Sequence, residues 1–375
     1  MHPNNSQYVD SLINWVANDV SRVFFCNVFL QKKLLFSAEV SVDLGVKMNH
    51  IFSRLIKQKF GYSNLFGLVL LTFTIGCQQR SPVASDAVSS PNSTTPTQTI
   101  THAMGSSEIP VLRSPRVVTI DTGPLDTALA LGVEPVGTIR YGKPPGYLGG
   151  AAEKIPVIGQ YNEPNMESIL RLNPDFILGS KSISAGIYPQ LLKISPTIFV
   201  EGAGFDWQWK DNFKLFATVL GKSEKADRLL AGYHTQLEAL KTFLNSAPQD
   251  IVISVLVLGE NGVIAQTPRS FSGSILKEIG FSRNEIQGNE DQFFVRISRE
   301  DTKTPDGDMI FLIHSSTWDT ASAEEFVKDP VLSTLNAVQK GAVCEVPGDV
   351  WGSGRGILAA KKILDDVRSC FTKKT

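Results

Sequence analysis

The sequence predicts an α/β fold of two lobes joined by one long α-helix, and three observations carry that expectation. From Pro115 onward, short apolar runs alternate with helix-forming stretches, the pattern of a sheet covered by helices. One local order, cap then short helix then Pro/Asp break then buried strand, occurs once in each half. Between the halves, Ser223–Leu244 repeats apolar residues at three- and four-residue spacing, with no proline and only Gly232 inside.

Taken in order, Arg116–Ile120 reads as a buried strand and Asp126–Leu131 as a helix stopped by Gly132. Val133–Gly137 is expected to return to strand. Asn165 can cap a helix over Met166–Leu172; Pro174-Asp175 breaks it, and Phe176–Leu178 follows as strand. A helix over Tyr188–Ile194 and a strand over Thr197–Val200 complete the first lobe near Glu201. In the long helix, Ser223 can cap, Glu224 suits the first turn, and Ala226, Leu229, Leu230, Tyr233, Leu237, Leu240 and Leu244 share one face. About six turns at 1.5 Å per residue span over 30 Å, roughly a domain diameter. Such a rod reads as the backbone joining two lobes, with Trp207 and Trp209 packed against it. The second lobe opens on a central strand from Ile251, repeats the cap–helix–break–strand order over Ile297–Ile313, and ends on a helix over Ile357–Arg368.

What precedes the lobes reads differently. Leu65–Gly76 is an apolar run of twelve uncharged residues, too short to span a bilayer, which takes about 20. It fits the core of a secretory signal, with Arg54, Lys57 and Lys59 before it and Gly76-Cys77 closing it. A small residue directly before a Cys resembles a bacterial lipobox, in which the Cys is lipidated and becomes the new N-terminus; Thr74 stands where an aliphatic residue is usual. The other reading is an uncleaved anchor or a buried strand with an incidental Cys. Since a signal should begin a chain and Met48 opens a normal one, residues 1–47 are expected to derive from an upstream start codon. Residues 78–114, rich in Ser, Thr, Pro, Gln and Ala, lack the apolar surface to offset chain entropy and are expected to form a flexible tether. The expected organisation is thus extension 1–47, lipoprotein signal 48–77, linker 78–114, N-terminal lobe 115–210, connecting helix region 211–246 and C-terminal lobe 247–375.

Composition and motifs mostly exclude. With 36 Lys+Arg against 37 Asp+Glu, the chain lacks the basic excess of a nucleic-acid binder. Four cysteines are too few for a disulfide scaffold or a cysteine-rich zinc module. There is no G-x-S-x-G elbow; Gly221-Lys222-Ser223 lacks the upstream glycine of a phosphate loop, and Gly202–Gly204 and Gly352–Gly354 lack the third glycine of a dinucleotide fingerprint. After the leader only His102, His234 and His314 remain, too few to capture a bare transition metal with converging carboxylates. Neither an enzyme nor a resident metal or cofactor is expected.

Five segments in order, 116–137, 155–180, 267–280, 297–311 and 329–367, resemble the periplasmic iron-siderophore binding proteins of ABC importers, of the ferric-citrate and hydroxamate type. The similarity covers residues 115–372. It implies two Rossmann-like lobes on one helix, a ligand cleft between them, capture of an iron(III) chelate and its delivery to a membrane permease. The chain would work as a monomer in the periplasm, lipid-anchored at Cys77. The iron arrives wrapped in the chelator's own oxygens, so the protein needs arginines for exposed oxyanions and aromatics for the apolar rim.

Trp351 and Arg355 match the family's W-x-x-x-R-G-I motif and are candidate cleft residues; the other reading makes Trp351 a core aromatic and Arg355 a solvated charge. Tyr161 stands where many relatives carry a gripping Arg, which removes a positive charge and argues against a strongly anionic ligand. Arg140, Tyr141 and Arg269 sit at strand–loop positions facing the expected cleft, as do Phe294 and Arg296, and a solvated surface role is open for each. For the permease, Glu167 matches the family's docking Glu and Glu300 is a second candidate, although a Glu near a helix start is favoured by the helix dipole anyway. Cys344 and Cys370 are either a disulfide or two buried thiols. A haem or cobalamin carrier is the alternative within the fold, and a sensor or enzyme the alternative outside it.

Overall fold

The computed structural model describes residues 96–374, apart from 141, 162, 203–205, 246, 260–261, 299–300, 302–304 and 316–319. Cys77, Tyr141, Glu300 and, apart from Asp301, the short helix expected after Ile297-Ser298 (299–303) therefore lie outside the described residues, as do the extension and signal.

The first described element corrects the linker. Strands β1 (Thr97–His102) and β2 (Gly105–Pro110) form an antiparallel hairpin within the stretch expected to be a tether. Its Ser/Thr content suggested flexibility, yet threonine is β-branched and suits a pleated surface. Thr99 and Thr101 lie exposed on one face while Ile100 and His102 are buried on the other. Gly105, at φ 121°, makes the turn that brings Ile109 alongside. The hairpin is fastened to the lobe where Ala103 N donates to Phe199 O at 2.8 Å and Phe199 N to His102 Nδ1 at 3.4 Å. Burial lowers the pKa of His102, which keeps the ring neutral and able to accept that bond.

The N-terminal lobe is a six-stranded sheet in the order β6-β5-β4-β3-β7-β8. Its strands are β3 (Val117–Thr119), β4 (Gly137–Arg140), β5 (Val157–Gln160), β6 (Glu163–Pro164), β7 (Phe176–Ser180) and β8 (Thr197–Val200). All neighbours run parallel except β5 and β6. Parallel strands are covered on both faces, so β3, β7 and β8 read as unbroken apolar runs and are buried throughout.

Several boundaries shift from expectation. Helix α1 (Thr122–Ala130) starts four residues earlier than its apolar pattern, because the Asp121 side chain accepts from Thr122 N and Pro124 is tolerated in a first turn. The strand expected at Val133–Gly137 begins only at Gly137, since Pro135 has no N–H for the ladder. Around the N-lobe lie α2 (Gly149–Lys154) and α3 (Met166–Arg171), the latter capped by Asn165 as expected. The expected Tyr188–Ile194 helix is a single turn, Tyr188–Leu191.

Helix α4 (Trp209–Val219) leads into α5 (Ser223–Phe243), whose 21 residues span about 32 Å at 1.5 Å each. Its N-cap is Lys222 without a side-chain bond, and Ser223 is the first helical residue rather than the cap. Ala226, Leu230, Tyr233, Leu237 and Leu240 are its buried stripe. Trp209 packs edge-on to Tyr233 with ring centroids 5.1 Å apart, whereas Trp207 is 44% exposed and does not join that packing.

The C-terminal lobe is a five-stranded sheet, order β11-β10-β9-β12-β13. Its strands are β9 (Ile253–Gly259), β10 (Gly262–Gln266), β11 (Phe294–Ile297), β12 (Met309–His314) and β13 (Val343–Pro347). β9, β12 and β13 are parallel neighbours; β10 and β11 add antiparallel. Helices α6 (Phe271–Ile279), α7 (Ala323–Lys328) and α8 (Ile357–Lys374) cover it. A disulfide joins Cys344 of β13 to Cys370 of α8, with Cα atoms 5.8 Å apart, and resolves the two readings left open by sequence.

One contiguous apolar cluster runs from Phe176 and Leu178 through Trp209, Phe213 and Tyr233 to Val255, Phe311 and Ile363. The lobes therefore share a core through α4 and α5. No helix among the described residues is long and apolar enough to cross a membrane.

Candidate ligand cleft

A cavity of about 590 Å³ opens between the lobes, at the carboxyl ends of β3 and β4 on one side and of β12 and β13 on the other. Strand ends of this kind are where α/β sheets present side chains to ligands. The N-lobe contributes Asp121, Thr122, Thr138, Arg140, Lys143 and Tyr161; the C-lobe contributes His314, Ser315, Glu345, Asp349 and Ser353.

The floor is a set of buried contacts between the lobes. Asp126, fully buried in α1, accepts from Leu358 N and Ala359 N in the first turn of α8, both at 3.0 Å. Helix N-termini present unpaired N–H groups that favour an anion there. A Cβ on Gly356 would lie 2.2 Å from the Asp126 carboxyl, so the absent side chain lets the two elements meet. Burial nevertheless pushes the Asp126 pKa up to about 7, against the backbone N–H groups that pull it down.

Beside it, Arg355 Nε pairs with Asp206 at 3.2 Å, and one terminal nitrogen reaches Thr122 Oγ1 at 3.2 Å and Asp121 at 3.9 Å. Burial raises the Asp206 pKa, with Arg355 opposing it. Thr122 Oγ1 donates to Ser353 O at 3.0 Å, and Gly146 N donates to Asp349 Oδ2 at 2.6 Å. Arg355 is thus an interlobe clamp whose charge two N-lobe carboxylates take up, rather than a free grip on ligand.

Two of the expected residues line the cleft. Tyr161 is 8% exposed there, and burial holds its hydroxyl protonated well above the usual tyrosine range. Arg140 is fixed by Nη2, which donates to the carbonyls of Ala152, Glu153 and Ile155 where α2 ends; its Nε is buried with no hydrogen-bond partner among the described residues.

Others lie elsewhere. Trp351 is 1% exposed, stacks on Phe311 at 4.9 Å and donates from Nε1 to Asp366 at 3.0 Å, so it is a core aromatic of the C-lobe. Phe294 and Arg296 sit on β11, the edge strand farthest from β13, and Arg296 lies over the Phe294 ring instead of in the cavity. Arg269 lies just ahead of α6, before its cap Ser270 and outside the lining, its guanidinium 5.7 Å from the Trp207 ring centre and its Nη1 donating to Glu290 O. Glu167 is exposed in the first turn of α3, paired with Arg171 at 2.5 Å.

Sequence reasoning missed Lys143, His314, Glu345 and Asp349. The signal was present in each case: a charged or polar residue on, or within three residues after, a strand whose carboxyl end faces the cleft. Among the described residues, no three His, Cys, Asp or Glu side chains converge to hold a metal ion.

Two α/β lobes on one long helix, with a polar cleft at the facing strand ends, define a two-lobed substrate-binding protein. The chain belongs to the periplasmic binding protein family, which matches residues 117–350. It is 32% identical to the probable siderophore-binding lipoprotein YfiY of Bacillus subtilis, across 75% of this chain and 90% of that one. It is 28% identical to the achromobactin-binding periplasmic protein of Dickeya dadantii, across 67% and 85% respectively. Among solved structures it is similar to Staphylococcus aureus SirA complexed with staphyloferrin B: TM-score 0.65, 28% identity, 74% of this chain and 99% of that one.

Proposed function

We propose that the protein captures a ferric siderophore in the interlobe cleft and hands it to the permease of an ABC importer. The observation that carries this reading is the cleft itself. A cavity of about 590 Å³ suits a compact chelate, and its walls offer hydrogen-bonding and charged groups without a cluster able to strip the iron, among the described residues. The relatives' ligands support the same chemistry: the Dickeya dadantii protein binds achromobactin and SirA is complexed with staphyloferrin B. The chain is a carrier without catalytic chemistry of its own.

The finer parts of the reading follow from the sequence. Export and lipidation at Cys77 would hold a monomer at the membrane surface, with Glu167 exposed on α3 to meet a permease cation. The test is quenching of tryptophan fluorescence by ferric citrate, ferric hydroxamates, ferric catecholates, haem and cobalamin. A response to at least one ferric chelate is expected. Silence across the ferric chelates, or saturation by haem or cobalamin alone, overturns the reading.

A further inference from the structure

The two walls of the cleft carry opposite charge. Arg140 and Lys143 stand on the N-lobe side; Glu345 and Asp349 stand on the C-lobe side. Among the described residues, none of the four belongs to an ion pair within 4.0 Å. The charge of Arg355, by contrast, is already answered by Asp121 and Asp206 beneath the cavity.

Each carboxylate is also held in place. Glu345 Oε2 accepts from Ala323 N at 2.7 Å, and Asp349 Oδ2 accepts from Gly146 N at 2.6 Å. Their second oxygens, Glu345 Oε1 and Asp349 Oδ1, accept no hydrogen bond among the described residues. Arg140 is fixed in the same manner, by the carbonyls that end α2. A cleft with a fixed arginine and a nearby lysine on one wall and two positioned carboxylates on the other is not shaped for a uniformly charged guest. An all-anionic chelate would meet two carboxylates in a partly desolvated space, where like charges cost far more than in water.

We infer that the cleft selects a dipolar ferric chelate: oxyanions toward Arg140 and Lys143, and a protonated amine toward Glu345 and Asp349. This rests on the proposal that the cleft takes ferric siderophores. Such a ligand would bridge the walls and satisfy both, each contact being a charge-assisted hydrogen bond.

The test compares three probes on the full chain: ferric desferrioxamine B, which carries a pendant ammonium; its N-acetyl derivative, which does not; and ferric citrate, which is anionic throughout. The native protein is expected to bind the ammonium form about tenfold tighter than the acetylated one, the scale of one charge-assisted bond. Glu345→Gln keeps an acceptor for Ala323 N and should close most of that gap. The same variant should tighten ferric citrate by about threefold, while Lys143→Gln weakens it by a similar factor. Opposite signs for one variant on two ligands cannot arise from a general loss of fold. Equal affinity for the matched pair, or Glu345→Gln moving both ligands in the same direction, overturns the inference and leaves the siderophore reading standing. Failure of all three probes to bind overturns the inference, and the siderophore reading falls with it only if ferric catecholates are silent as well.

Discussion

Arg355 is the residue whose role changes most between sequence and structure. Its motif marked it as a ligand contact, and the structure makes it the cation between two N-lobe carboxylates. Arg355→Met should therefore cost about 3–5 kcal/mol in chemical denaturation, the scale for stranding buried charges. An undiminished denaturation midpoint with lost ligand affinity would instead restore the contact role. Trp351 fell to the same ambiguity, because W-x-x-x-R reads alike whether the indole faces a cleft or Phe311. Asp126 was invisible in sequence, since only the three-dimensional approach of α8 buries it. Its pKa of about 7, above the ordinary 3.8, means the folded state holds a proton that the unfolded chain releases. The stabilising contribution is complete below about pH 4 and is lost as pH rises through about 7. Asp126→Asn should flatten that decline; stability profiles of native and variant that run parallel from pH 4 to 8 would refute it.

Elements were legible where period and burial agreed. The α5 stripe and the β7 and β8 runs are one-faced or fully buried, so spacing or apolarity alone marks them. Legibility failed where composition was read without period: Thr99, Ile100 and Thr101 alternate as a strand should, inside a stretch whose overall makeup suggests a tether. It failed again at β4, where Pro135 displaces the ladder to Gly137. The Cys344–Cys370 bond was undecidable from sequence because it depends on how β13 and α8 pack. It closes a loop with a sequence separation of 26, so replacing both cysteines by serine should cost about 3.5 kcal/mol on the chain-entropy account. A thermal midpoint unchanged by the double substitution would contradict that.

For the whole molecule, a continuous core through α4 and α5 and three sets of interlobe bonds under the cleft oppose large hinge motion. Ligand should change the radius of gyration by no more than roughly 1 Å in solution scattering, in contrast to hinged proteins that close by domain rotation. Compaction by several times that amount would count against the fixed-lobe picture. The cleft was legible as a location, because facing strand ends between two lobes have to form one. Its charge pattern was not, because Lys143, Glu345 and Asp349 meet only once both sheets are folded.

The most direct measurement is the anomalous scattering of iron in crystals grown with a ferric chelate that quenches the tryptophans. A single iron peak is expected between β4 and β13, within the cavity lined by Arg140, Lys143, Tyr161, Glu345 and Asp349, and ligated by the chelate alone. Iron bound directly by protein side chains, or iron absent from this cleft, would contradict the account.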